Sequence, residues 1–377
     1  MSIPPDVCRK PSITTRRKAI GLLRRITTAL LVLAPTAIVA PTPAYAAVTS
    51  VRGFARITNT MSHTVPAPYA SNSAGGAVQH VRNSVGNYRV RFVGLGAAAN
   101  ALGNGGVAHA APFGYYLGMC TVGGWSVASS DLDVTVNCFD DAGARDDMMF
   151  VVNFVAGSGT GTEDYSYAWA NQPSAASYTP AAFHRWDADG GTAQVQRDGT
   201  GRYRVYLPAS TDRSNTTSFY QVTAYTSSPV HCKPNAIVGT IGWVGVRCRD
   251  HAGTYVDSRF TITFATDPLR GAHFGGWPPA WGAAYVSVNT AGVPSVSWSD
   301  TFLDAPATVV RFGPGQYRVS FGLPDFYAYH AVATSQGLND RRCSVTRFDA
   351  SWNFVDVFCH SAAGVPADSN FYVGTST

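Results

Sequence analysis

Among 23 acidic residues there is a single glutamate, Glu163, and it sits in the Gly/Ser/Thr-rich stretch GSGTGTED (157–164). A glutamate pair working on a glycosidic bond is thereby excluded, and so is an HExxH zinc site. Proton transfer would have to come from aspartate with histidine or tyrosine. Asp140, Asp141, Asp146 and Asp147 cluster, but acids crowded at a turn are ordinarily solvated there. The nine histidines (His63, His80, His109, His184, His231, His251, His273, His330 and His360) are dispersed and recur at no fixed position. Gly124-Trp125-Ser126-Val127-Ala128 misses the GxSxG nucleophile elbow at its last residue. For metals, Asp187-Ala188-Asp189-Gly190 offers a DxDG fragment, far short of a twelve-residue calcium loop, and reads as an acidic turn. No CxxC or HxxxH pair completes a zinc site. No cofactor is expected, Ca2+ being the one metal with any residues in its favour.

Aromatic side chains carry the positive signal. Of eight tryptophans, Trp125, Trp243 and Trp352 recur between paired cysteines and read as core residues near a bridge. Trp169, Trp186, Trp277 and Trp281 do not recur as a set. Flat aromatics beside Asp, Asn or Arg stack on sugar rings while their neighbours bond the hydroxyls, or anchor a protein interface. These four are the expected ligand-binding residues.

The elements that must position them come as a repeat. Counting from Cys248, Ala252 follows at +4, Gly253 at +5, Asp257 at +9 and Phe260 at +12. The same offsets start from Cys138 (Ala142, Gly143, Asp147, Phe150) and from Cys359 (Ala363, Gly364, Asp368, Phe371), 110 and 111 residues apart. Val244, Val246 and Cys248 alternate with arginines, and Phe260, Ile262 and Phe264 alternate with polar residues, which is the period of a half-buried strand. Each copy therefore reads as a β-hairpin around an Ala-Gly turn, with the +9 aspartate bonding locally at a turn or strand edge. GLGAAANALGNGG (94–106) reads as a loop.

Two cysteines fall in each unit, which predicts the bridges Cys120–Cys138, Cys232–Cys248 and Cys343–Cys359. Many short strands with turn chemistry between them predict an all-β chain of three tandem β-sandwich repeats, immunoglobulin-like or jelly-roll-like, each with one disulfide. The expected boundaries are 47–156, 165–265 and 283–377, with linkers at 157–164 and 266–282 and no separate catalytic or anchoring domain.

Residues 1–46 read as a secretory signal peptide: a basic region, the apolar run ALLVLAPTAIVA (29–40), and a small-x-small site at Ala44-Tyr45-Ala46. Seven of the 28 Lys and Arg lie in that segment with one of the 23 acids, so the remainder carries a net charge of about −1 rather than +5. Lys233 is then the one lysine left, and no basic run suggests a nucleic acid partner. No transmembrane segment is expected after cleavage. The phrases YAWANQPSAASYTP, GTGRYRVYLP, QVTAY and VRCRDHAGTYVDSRF resemble secreted β-repeat proteins of actinobacteria and myxobacteria, a group without an established activity. Unit one departs most, with Asp146-Asp147-Met148 in place of Val/Ala-Asp-Ser. The resemblance implies secretion and repetition and no mechanism. The expected role is extracellular, non-catalytic binding to polysaccharide, cell wall or a surface protein. A secreted hydrolase using Asp and His within one repeat is the alternative, followed by a protease inhibitor presenting Gly96–Gly106 or Asn339–Arg342.

Overall fold

A computed structural model describes residues 51–127, 129–157, 165–210, 218–237, 242–265, 281–301, 305–322, 330–349 and 354–376. The expected signal peptide, residues 158–164 and 266–280 of the expected linkers, Trp277 and Trp352 lie outside them. The described chain is all-β apart from one short helix, Leu95–Ala101, and three 3₁₀ turns.

Three stretches carry corresponding sheets. In 51–157 the spatial order of one sheet is Ala70–Asn72, Val51–Ile57, Phe150–Ala156, Val107–Pro112. In 165–265 it is Arg185–Asp187, Tyr165–Ala170, Arg259–Ala265, Phe219–Tyr225, and in 281–376 it is Pro294–Thr301, Trp281–Val288, Asn370–Ser376, His330–Gln336. The partner sheets run Val78–Ser84, Asn87–Phe92, Leu132–Phe139, Met119–Ser126 in the first stretch and Gln194–Gly199, Arg202–Tyr206, Trp243–Asp250, Val230–Ile237 in the second. In the third the order is Thr308–Gly313, Gln316–Ser320, Phe354–His360, Arg342–Asp349. Short edge strands, His63–Thr64 and Ser177–Tyr178, extend the first two of these, and Phe219–Tyr225 meets Met119–Ser126 in parallel at Tyr225 and Val122, so the first partner sheet and the second stretch's Arg185–Asp187 sheet are one nine-stranded sheet.

Alternation fills the space between paired sheets. Tyr88, Val90 and Phe92 point inward from one sheet, and Phe150, Val152 and Phe154 from the other. The ring pairs Tyr88–Phe150, Tyr203–Phe260 and Tyr317–Phe371 stand 5.0, 5.2 and 5.1 Å apart and tie the two sheets of each stretch together. Each buried ring of this size contributes about 2–3 kcal/mol. All three expected disulfides are formed, each between residues directly opposed on neighbouring strands.

Two local expectations are corrected. The repeated signature is not a hairpin: Trp243–Asp250 pairs with Arg202–Tyr206 and Val230–Ile237, whereas Arg259–Ala265 pairs with Tyr165–Ala170 and Phe219–Tyr225. A tight turn does form, with Asp250 N–H on the Thr254 carbonyl and Gly253 at φ 87°. Asp257 is then held by groups on the strands Gln194–Gly199 and Arg202–Tyr206 and by Gly201 in the turn between them, and the chain crosses to the opposite sheet. The bridged hairpin is the preceding pair, Val230–Ile237 with Trp243–Asp250. The second correction is Leu95–Ala101, expected as loop and found helical. Leu95 and Ala99 share its buried face, one turn apart.

The stretches close on one another in cyclic order. Thr226 N–H donates to the Val122 carbonyl (2.9 Å), Gly337 N–H to that of Pro234 (3.1 Å) and Gly114 N–H to that of Val345 (2.8 Å). Each acceptor lies two residues after the first cysteine of its pair, so the second stretch joins the first, the third joins the second, and the first joins the third. The Ala-Gly turns meet in the same sense. A Cβ on Gly143 would stand 2.7 Å from His251, one on Gly253 3.3 Å from Ala362, and one on Gly364 2.6 Å from Asp141.

Candidate functional site

At each +9 position an aspartate gathers the same donors. Asp147 accepts from Arg82 Nε, Gly86 N–H (2.9 Å) and Tyr88 O–H (2.7 Å). Asp257 takes Arg197, Gly201 (2.9 Å) and Tyr203 (3.0 Å), and Asp368 takes Arg311, Gly315 (2.9 Å) and Tyr317 (2.6 Å). Arg82 and Arg197 are foremost in holding the first two carboxyls below the usual carboxylate range. At Asp368 burial works the other way and is overcome by Arg311, Tyr317 and Gly315. With every donor spoken for, these aspartates are clasps of the fold rather than acids for catalysis. The signal for them is RxxxGxY, present at Arg82-Gly86-Tyr88, Arg197-Gly201-Tyr203 and Arg311-Gly315-Tyr317. The glycine is required, because Gly201 has φ 62° and an added Cβ would lie 2.5 Å from the Cys248 carbonyl oxygen. Gly201→Ala is expected to lower stability by at least about 2 kcal/mol, read from the urea midpoint.

Of the expected ligand-binding residues, Trp169 and Trp186 are brought together. Both pack against a small cluster made of Tyr167 with Val107 and Val155 of the first stretch. Trp169 meets Tyr225 (4.9 Å), His184 (4.8 Å) and Trp125 (5.5 Å). Trp186 lies against Tyr165 (5.5 Å) and Tyr167 (6.1 Å). Trp281 begins a strand, and Trp277 is outside the described residues. Trp125, expected in the core near its bridge, is half-buried at the core's edge. A register shift between Val122 and Gly124 precedes it, and its indole N–H donates to the Gly105 carbonyl (2.8 Å). Trp243 is likewise half-buried, beside Tyr206. Trp125, Trp169 and Trp186 thus fill the joint between the first two stretches, and Trp243 does not.

Beside that joint lies an open groove of about 490 Å³ on the second stretch, walled by Tyr225, Thr226, Ser228, Asp250, Ser258 and Arg259. Tyr225 ends its strand with its ring between Trp169 and the Arg259 guanidinium, which lies 5.2 Å from the ring centre. Arg259 is exposed and makes no ion pair among the described residues. The groove combines an aromatic wall, a forked cation, hydroxyls and a carboxylate. With Trp169 and Trp125 against the Tyr225 ring and the guanidinium over it, the groove offers a packed aromatic edge and polar groups that can bond sugar hydroxyls. Tyr225 and Arg259 were not singled out from sequence because neither recurs: the register places Phe113 and Gln336 at the equivalents of Tyr225, and Met149 and Asn370 at those of Arg259.

The remaining expectations are placed as follows. Asp187 Oδ1 accepts the N–H of Asp189 (3.1 Å) and Gly191 (3.3 Å), so the DxDG fragment closes its own turn. Among the described residues no three His, Cys, Asp or Glu side chains stand close enough to hold a metal ion. Gly96–Gly106 begins inside the packed helix, and Asn339 Oδ1 accepts from the Lys233 ammonium at 2.6 Å, so neither segment stands free. No described helix is long and apolar enough to cross a membrane. No family model, no curated protein and no solved structure matches the chain.

Proposed function

We propose that this is an extracellular, non-catalytic binding protein whose ligand is a polysaccharide seated in the Tyr225–Arg259 groove. The fold that carries it is read as three tandem β-sandwich repeats, 47–156, 165–265 and 283–377, following a cleaved signal peptide. Three disulfides support an oxidising destination. The observation that carries the binding reading is the groove itself: it is open and sets the Tyr225 ring beside hydroxyls, a guanidinium and a carboxylate, with Pro173, Pro229, Val230 and Val256 as its apolar lining. Asp257, which also lines the groove, is already committed to Arg197, Gly201 and Tyr203. Because the groove residues do not recur, repetition builds the body and binding is monovalent.

The test is retention of mature 47–377 on insoluble polysaccharides and washed cell walls. Arg259→Ala and Ser228→Trp alter exposed groove residues without touching the core, and each is expected to weaken retention at least about tenfold, the first by losing a charge-assisted contact of about 1.4 kcal/mol or more and the second by filling the groove with an indole. Trp186→Ala, at the joint, is expected to lower the melting temperature before it alters retention. Absence of retention on every matrix, or full retention by Ser228→Trp, would overturn the reading.

A further inference from the structure

Cys120, Cys232 and Cys343 turn into their own cores, so the residues just before them, Met119, His231 and Arg342, point the other way. There the three stretches meet around a cavity of about 30 Å³, lined from the first stretch by Met119, from the second by His231 and Thr223, and from the third by Arg342, Ser344 and His360. Arg342 is 3 % exposed. Its Nη2 donates across the junction to the carbonyls of Asp250 (3.2 Å) and His251 (2.8 Å), while Nη1 has no protein partner. Ser344, also 3 % exposed and on the same strand face two residues on, has a hydroxyl without a partner.

The corresponding residues of the other stretches behave differently. Thr121 donates to the Thr226 carbonyl (2.7 Å), and Lys233 to Asn339 and to the Arg341 carbonyl (3.0 Å). Both thus bond forward to the next stretch, and Ser344 does not. Asp141, Asp250 and Asp340 act on the guanidinium through their charge, but none lines the cavity and none forms an ion pair with Arg342 among the described residues. A buried guanidinium with a donor left over is costly unless an anion or acceptor meets it. A cavity of about 30 Å³ has room for a monoatomic anion or a water.

We propose that the junction binds one monoatomic halide, chloride or bromide, between Arg342 Nη1 and Ser344 Oγ, and that this ion pins the third stretch to the other two. The ligand set is donors alone, drawn from a strand whose neighbours come from all three stretches.

The test is thermal unfolding of the mature protein at fixed ionic strength in sodium chloride, bromide, gluconate or sulfate. The expected result is a saturable rise of several degrees with chloride and bromide over gluconate, as ligand linkage requires. The rise is expected to be absent in Ser344→Ala and in Arg342→Met, and bromide is expected to give an anomalous peak at the junction in crystals. Ser344→Ala removes one hydroxyl and decides the matter if Arg342→Met does not fold. Equal melting temperatures in chloride and gluconate, a rise of the same size in sulfate, or an undiminished chloride effect in Ser344→Ala would each overturn the proposal.

Discussion

On acidification from pH 7 to pH 4 the folded protein is expected to lose most of its stability, with the loss beginning near pH 6.5. Every joint between stretches holds an imidazole kept neutral by its surroundings. His109, at the first joint, is fully buried between Thr223 (3.2 Å) and Thr261 (3.3 Å), and burial pushes its pKa down to about 3. His330, 5 % exposed, stacks on Phe54 of the first stretch at 4.8 Å, and neither ring nitrogen has a protein partner. Burial, with Arg56 adding to it, lowers His330 to about 3. His231 at the remaining joint is lowered well below 6.5, by burial first and then by Arg342. Within the first stretch, burial takes His80 to about 4.

The sign follows from proton counting. Between pH 6.5 and about 3 the unfolded chain binds protons at these rings and the folded chain does not, so stability is intact above pH 6.5 and falls as pH falls. At pH 4 His109 and His330 each remove roughly 3 kcal/mol, and together they rival the 5–15 kcal/mol that holds a typical protein folded. The clasped aspartates titrate in a lower window: their depressed pKa values stabilise the fold above about pH 3.8, and that stability goes as pH falls further. Urea midpoints at pH 7, 5.5 and 4 measure the effect. His330→Phe, whose ring suits the stack on Phe54, is expected to flatten the profile between pH 6.5 and 4. An unchanged slope in that variant would contradict the assignment.

The second large effect is at the first clasp. Asp147→Ala is expected to cost about 3 kcal/mol, and Asp257→Ala distinctly less. Both ion pairs are partly solvated, with side chains 27–29 % exposed, so solvent screens the two guanidinium contacts alike. The difference lies in the tyrosines. Tyr88 is fully buried, and its hydroxyl donates to Asp147 alone at 2.7 Å, so removing the carboxylate strands a donor. Tyr203 has a second acceptor, the Pro173 carbonyl at 3.1 Å, to which its hydroxyl can turn. Asp147→Asn keeps an acceptor and is expected to fall between wild type and Asp147→Ala. Chemical denaturation of the three variants gives the order, and equal losses for Asp147→Ala and Asp257→Ala would contradict it.

Much of this was legible in the sequence because it depends on period and count. The inward faces at Tyr88-Val90-Phe92 and Phe260-Ile262-Phe264 follow from alternation alone, and the cysteine pairs follow from two per unit. The crossing between sheets was not legible. A tight Ala-Gly turn looks the same whether the chain folds back or leaves, and the decision rests on Asp257 reaching residues 54–60 positions earlier. Leu95–Ala101 was hidden by its small residues, since a single turn with Leu95 and Ala99 inward gives too short a pattern to separate from loop. The aromatic groove was missed for another reason. Repetition drew attention to residues that recur, whereas Tyr225 and Arg259 occur once and become neighbours only through strand register. The same holds for the junction around Arg342, which exists only when three distant strands converge.

The proposed function places binding in the Tyr225–Arg259 groove. Isothermal titration of the mature chain with a soluble oligosaccharide cut from the retained polysaccharide tests it most directly. One binding site per chain, weakened at least tenfold by Arg259→Ala, is the predicted result. Three equivalent sites per chain, or a single site indifferent to Arg259→Ala, would contradict the account.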